Sequence, residues 1–141
     1  MKKELDLGTV LVEYDGKPVQ DLSAQKEGEG EIQSKDLLLR DAILGYLRRA
    51  DRMGLNEREQ NIAYELGFIV AGQTGKMILT TEQYDAVKKL ADNGKVKLPN
   101  GQEEYLYPFV VRVQTKRLID GARNVEEPAQ PQGPVAKEAE A

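Results

Sequence analysis

Leu79-Thr80-Thr81-Glu82-Gln83-Tyr84 is the stretch from which the fold is read. Thr80 stands where an N-cap side chain accepts from the backbone three residues on, and Gln83 stands where a side chain reaches back to complete a capping box. Leu79 and Tyr84 occupy the two positions of a hydrophobic staple. Tyr84, Val87, Leu90 and Ala91 then recur at helical spacing, and Asn93-Gly94 stops the run. A helix starts here, and its apolar side needs other elements to pack against.

Two more helices precede it. Asn56 with Glu59 three residues later forms a second capping-box pattern, followed by Ile62, Ala63, Leu66, Ile69 and Val70 and closed by Gly72 and Gly75. Before that, Ser34 stands as an N-cap with Asp36 in the first turn. Leu37, Leu38, Ala42, Ile43, Leu44, Leu47 and Ala50 form a broad apolar face that ends at Met53-Gly54. After the opening stretch, Lys95-Val96-Lys97-Leu98 alternates up to a Pro99-Asn100-Gly101 turn. The segment from Tyr105 to Gly121 carries valines that favour a strand. Pro108 near its start and Gly121 at its end favour a helix of three to four turns, and the helix is the preferred reading.

The N-terminal part reads differently. Thr9 to Tyr14 is β-branched and aromatic, and Asp15-Gly16 supplies a hairpin turn with a return strand through Val19. Pro18 has no N–H to donate, so that return strand is expected at an edge. The expected architecture is α+β and mostly helical, with a hairpin over 9–22 packed on three or four short helices over 34–121. One globular domain spans 1–122. Ser23 to Glu31 reads as a polar loop, and 123–141, rich in Pro and acid from Glu126 onward, as a disordered tail.

Composition narrows the chemistry. The 141 residues carry 20 Lys plus Arg against 24 Asp plus Glu, a net charge of −4, with no Cys, His or Trp. That excludes a disulfide, a thiolate nucleophile, an imidazole base and a Cys/His zinc site. No apolar run is long enough to span a bilayer, and the start leads into no signal-peptide core, so a cytoplasmic protein with no membrane partner is expected. Gly72-Gln73-Thr74-Gly75-Lys76 resembles a phosphate loop but lacks the leading glycine and the trailing Ser or Thr, and it leaves a helix instead of entering one. The acidic pairs Asp36/Asp41, Glu57/Glu59, Glu103/Glu104 and Glu126/Glu127 fall at helix starts, in turns or in the tail, not in a nucleophile or acid–base constellation. No enzyme, cofactor or metal site is expected.

Charge is uneven along the chain. Residues 1–33 sum to −4, whereas 34–55 and 95–121 each sum to +2. Arg48, Arg49 and Arg52 share one helix surface, and Arg112, Lys116 and Arg117 share another if 108–120 is helical. Three readings stand side by side: solvated helix faces helped by cations near helix C-termini, patches that answer an acidic protein partner or the chain's own acidic N-terminal region, and patches that contact nucleic-acid phosphates. Tyr105 and Tyr107, with apolar bodies and polar tips, are candidates either for the core rim or for a protein contact.

The order of these features resembles a group of small proteins of unassigned role from tailed-phage and prophage genomes. The resemblance is carried by Asp15 to Pro18, Leu39-Arg40-Asp41-Ala42, Tyr64-Glu65-Leu66-Gly67, Leu79-Thr80-Thr81-Glu82 and the run from Pro108 to Gly121, and it covers about residues 10–121. The chain departs from it at Ser23 to Glu31 and Lys95 to Glu104. The resemblance brings no catalytic residues. It implies a non-enzymatic protein that binds other proteins, or its own copies, in virion or tail assembly, a tail-assembly chaperone being one form. Its place would be the host cytoplasm or the virion. The alternative is a small inhibitor or nucleic-acid-associated factor acting through the basic helix faces.

Overall fold

In the computed structural model, which describes residues 2–21 and 35–125, the chain is α+β and mostly helical. The order is β1 (Lys2–Asp6), β2 (Gln20–Asp21), β3 (Lys35–Asp36), α1 (Leu39–Arg48), a 3₁₀ turn (Ala50–Arg52), α2 (Glu57–Ala71), β4 (Lys76–Leu79), α3 (Thr81–Asn93), β5 (Lys95–Lys97), β6 (Glu103–Tyr105), α4 (Phe109–Asp120) and β7 (Arg123–Val125). Strands β4, β1 and β7 form an antiparallel sheet in that order, with Leu5 opposite Met77 and Lys3 opposite both Leu79 and Asn124. The pairs β2–β3 and β5–β6 are separate antiparallel ladders.

The caps explain where α2 and α3 begin. Thr80 accepts from the Gln83 N–H at 3.2 Å while the Thr80 N–H donates to Gln83 Oε1 at 3.0 Å. Asn56 and Glu59 make the same reciprocal pair at 2.8 and 2.9 Å. Each satisfies donors that the first turn leaves open. Gly94 closes α3 at φ +66°, a left-handed conformation that glycine adopts without a steric penalty. Leu79 and Tyr84 are both buried in the main core beside Leu66, Val87, Leu90 and Ile119, and the Tyr84 hydroxyl donates to the Ile119 carbonyl at 2.6 Å. Gly72 ends α2 and Lys76 opens β4, so the 72–76 stretch joins a helix to a strand.

The preferred helix over 108–120 is present as α4, with Pro108 at its N-cap and Gly121 at its C-cap. Several other expectations need correction. The first helix starts at Leu39 instead of following Ser34, because Lys35–Asp36 pair with Gln20–Asp21 as β3. The start is held by Asp41, whose carboxylate accepts from the Leu38 N–H at 3.0 Å. Ser34, the polar loop at Ser23 to Glu31 and the tail from Glu126 lie outside the described residues. Arg123–Val125, placed in the tail from sequence, form β7 against β1. Lys2–Asp6, which carries no strand signal of its own, is the central strand of the sheet.

The hairpin turn is present, with Glu13 N–H donating to the Lys17 carbonyl at 2.8 Å and Val19 N–H to Leu11 at 2.9 Å. Thr9 to Tyr14 nevertheless makes only isolated bridges, Val10 to Leu38 and Val12 to Pro18. The reason is Gln114 on α4. Its side-chain amide accepts from the Val12 N–H at 2.9 Å and donates to the Val12 carbonyl, standing in for a strand neighbour. The return arm runs on into an edge: Val19 accepts from Leu37 N–H, and Gln20–Asp21 pair with β3 in a two-stranded ladder. That second pairing begins after Pro18, so the missing N–H forfeits no ladder bond.

Candidate functional site

Helix α2 decides which apolar side chains face outward. At 100° per residue, Ala63, Leu66 and Val70 fall on one side and are buried. Tyr64 and Phe68 are turned well away from that face, toward the opposite side of the helix, and each is 69% exposed. Their rings meet edge to face, with centroids 5.1 Å apart at 84°, a favoured geometry for an aromatic pair. Ile69 is exposed on the same helix.

Between α2 and α1 this leaves an open groove of about 380 Å³. Leu44, Leu47 and Arg48 from α1 form one wall, and Tyr64 and Phe68 form the other. Ala63, Gly67 and Ala71, spaced four apart, complete the lining between them. A second, more polar concavity lies beside it, sharing Leu47, Arg48 and Tyr64 and lined further by Asp51, Gln60 and Asn61. Among the described residues Arg48 is the one charged side chain lining the groove and Asp51 the one charge that the neighbouring concavity adds, and neither side chain makes a hydrogen bond or ion pair with a described residue. A mostly apolar concavity with a polar one beside it suits a protein side chain or helix better than a charged metabolite.

The residues singled out from sequence are placed as follows. Arg48, Arg49 and Arg52 are exposed around the end of α1 and the 3₁₀ turn, and Arg49 Nη1 donates to the Gly45 carbonyl at 3.2 Å. Arg112, Lys116 and Arg117 lie on α4. No hydrogen bond, ion pair or ring contact among the described residues joins the two sets into one face.

Lys116 is engaged within the chain: it pairs with Asp92 at 2.9 Å and Asp120 at 3.0 Å, while Lys88 pairs with Asp120 at 2.8 Å and Asp92 at 3.3 Å. Hydrogen bonds that Lys88 and Lys116 donate to these carboxylates raise both lysines above their ordinary value, and the two lysines lower Asp120. Two cations between two anions leave little net field for a phosphate. Arg117 is exposed.

Arg112 stacks on Tyr105 at 3.7 Å from the ring centroid and reaches Phe109 at 5.3 Å, with Lys95 5.1 Å from the Tyr105 ring. Tyr105 and Phe109 are half exposed or more. Tyr107 turns inward: its ring meets the buried Tyr46 edge to face at 5.2 Å, and its hydroxyl donates to the Ala42 carbonyl at 3.0 Å. Burial pushes the Tyr46 hydroxyl up to about 12, with Arg112 acting against the shift. The described residues hold no group of three or more carboxylates placed to bind a metal ion, and no helix among them is long and apolar enough to cross a membrane.

The groove residues Tyr64 and Phe68 are absent from the sequence-derived candidates, although a signal exists. Two aromatics at i, i+4 that lie off the Leu66–Val70 side of an amphipathic helix mark a second apolar stripe, which the sequence leaves open as core or as contact surface. Comparison with protein-family models, curated proteins and solved structures finds no match to this chain.

Proposed function

We propose that this chain is a non-enzymatic protein that acts by binding another protein through the groove between α1 and α2. The observation that carries the reading is the exposed Tyr64–Phe68 pair standing over an apolar channel. Large aromatic side chains in that position are the usual anchors of protein interfaces. The resemblance to small tailed-phage and prophage proteins supplies the setting: assembly of a virion or tail, in the host cytoplasm or on the particle, with a tail-assembly chaperone as one concrete form. The test is capture from producing-cell lysate by the tagged chain. Capture lost with Tyr64→Asp or Phe68→Asp, kept with Arg112→Ala and insensitive to nuclease supports the reading. Capture that ignores Phe68 overturns it.

A second reading, a small inhibitor or nucleic-acid-associated factor, has one observation in its favour. Tyr105 and Phe109 are exposed beside Arg112 and Lys95, a combination on which bases stack. It predicts binding that vanishes with nuclease, falls steeply with salt and is lost with Arg112→Ala.

A further inference from the structure

Helix α2 contains an interior glycine for which the described fold gives no reason. A β-carbon at Gly67 would meet nothing within 4 Å, although glycine lowers helix stability there. Gly67 lines the groove between Ala63 and Ala71, and Tyr64 and Phe68 stand beside this floor. The one charged side chain in the lining, Arg48, is exposed and makes no hydrogen bond or ion pair with a described residue. An occupant of this groove gains from apolar contact with aromatic rings and from carrying negative charge.

Residues 126–141, which lie outside the described residues, supply both in their sequence. Pro128, Pro131 and Pro134 recur at every third position. A polyproline II helix has three residues per turn, so that spacing puts the three rings along one edge, about 9 Å apart. Aromatic-lined grooves take up segments of this pattern. The same stretch carries Glu126, Glu127, Glu138 and Glu140 against Lys137 alone, the sign that Arg48 calls for. Its starting point and length also suit the groove. Val125 ends β7 opposite Lys2, beside the Lys3–Leu79 pair that leads into α3, and Glu82 in the first turn of α3 meets Arg58 in the first turn of α2. The 16 residues that follow Val125 span about 50 Å at about 3.1 Å each, beyond the width of about 30 Å of a small domain. We infer that residues 126–141 of this chain dock in the α1–α2 groove, with the proline edge on Tyr64 and Phe68 and the acidic groups toward Arg48, and so compete with the protein that the groove binds. This rests on the proposed binding role of the groove and names its regulation.

The chain has no cysteine, so Ala136→Cys gives the full-length protein a single site for a nitroxide. In dilute isotope-labelled protein the nitroxide is expected to broaden the amide signals of Ala63, Gly67 and Ala71 more than those of Arg123 and Asn124, which are nearer to it in sequence. Pro131→Ala together with Pro134→Ala, outside the described fold, removes that excess, as does Phe68→Asp at an exposed position. Arg48→Glu weakens it, and replacing the proline pair raises capture from producing-cell lysate. Broadening that is strongest at β7, or centred on Tyr105 and Arg112, overturns the inference. Groove broadening that passes from a nitroxide-bearing chain to a separate isotope-labelled one assigns the groove to another copy and overturns docking within one chain. Groove broadening with capture indifferent to the proline pair overturns the competition. Sharp groove amides with capture that still depends on Phe68 overturn the docked segment alone and leave the binding role standing. Sharp groove amides with capture that ignores Phe68 overturn both.

Discussion

The Tyr107 hydroxyl crosses α1 directly over Gly45 and donates to the Ala42 carbonyl at 3.0 Å. This fixes the entry to α4 on the flank of α1, and it does so only because residue 45 has no side chain. Gly45→Ala is expected to destabilise the fold by about 1–3 kcal/mol, the overpacking cost outweighing the gain in helix propensity. Gly67→Ala, with open space around it, is expected to stabilise by about 0.5–1 kcal/mol. Urea denaturation of both variants at low protein concentration checks this, and shifts of the same sign would refute it.

Tyr46 is 1% exposed, and its hydroxyl has no hydrogen-bond partner among the described residues. Burial raises its folded value to about 12 from an ordinary 10.0. Below pH 10 the group is neutral in both states and its contribution is fully present. As pH rises through 10 toward 12 the unfolded chain ionises first, so stability falls across that window. Tyr46→Phe should lose this part of the alkaline decline and be no less stable at neutral pH, where it removes an unpaired buried hydroxyl. Identical alkaline profiles for the two proteins would count against it.

Gln114 satisfies both backbone groups of Val12 from 102 residues away. Gln114→Ala leaves a part-buried N–H and C=O without that partner and should cost about 1–3 kcal/mol. Amide exchange at Val12 should quicken more than exchange in α3. Unchanged exchange at Val12 would show that the side chain does not hold the segment.

Thr80 and Asn56 cap separate helices, so their effects should add. Thr80→Ala and Asn56→Ala should each cost about 1 kcal/mol, measured by chemical denaturation. A Gly replacement at either site should recover most of the loss.

Local chemistry made part of the fold legible from residue types alone. The caps at Asn56 and Thr80, the stops at Gly72 and Gly94, and the Pro108–Gly121 frame of α4 depend on side chains within a few residues of the backbone they serve. The starts of α2 and α3 could therefore be read without tertiary structure. The start of α1 could not. Ser34 and Asp36 look like a cap and first turn, yet Lys35–Asp36 are drawn into a ladder by Gln20–Asp21, a distant upstream partner whose claim no local pattern states.

The candidate site divides the same way. The tyrosines and arginines near α1 and α4 were visible as residue types, but whether each faces inward or outward was not. Tyr107 goes under, onto Gly45 and Tyr46, while Tyr105 stays out beneath Arg112. Lys116 is absorbed by Asp92 and Asp120.

By itself, then, the sequence determined the α+β class, the spans of α2 and α3, the hairpin turn, and the exclusion of thiol and imidazole chemistry. Only the tertiary structure decided that Lys2–Asp6 is the central strand, that Val12 pairs with a side chain and that the α1–α2 face lies open. Caps and turns are settled by contacts within one turn of chain. Strand partners and uncovered helix faces depend on which distant segments arrive, and nothing within a turn of Tyr64 or Phe68 says that none will cover them.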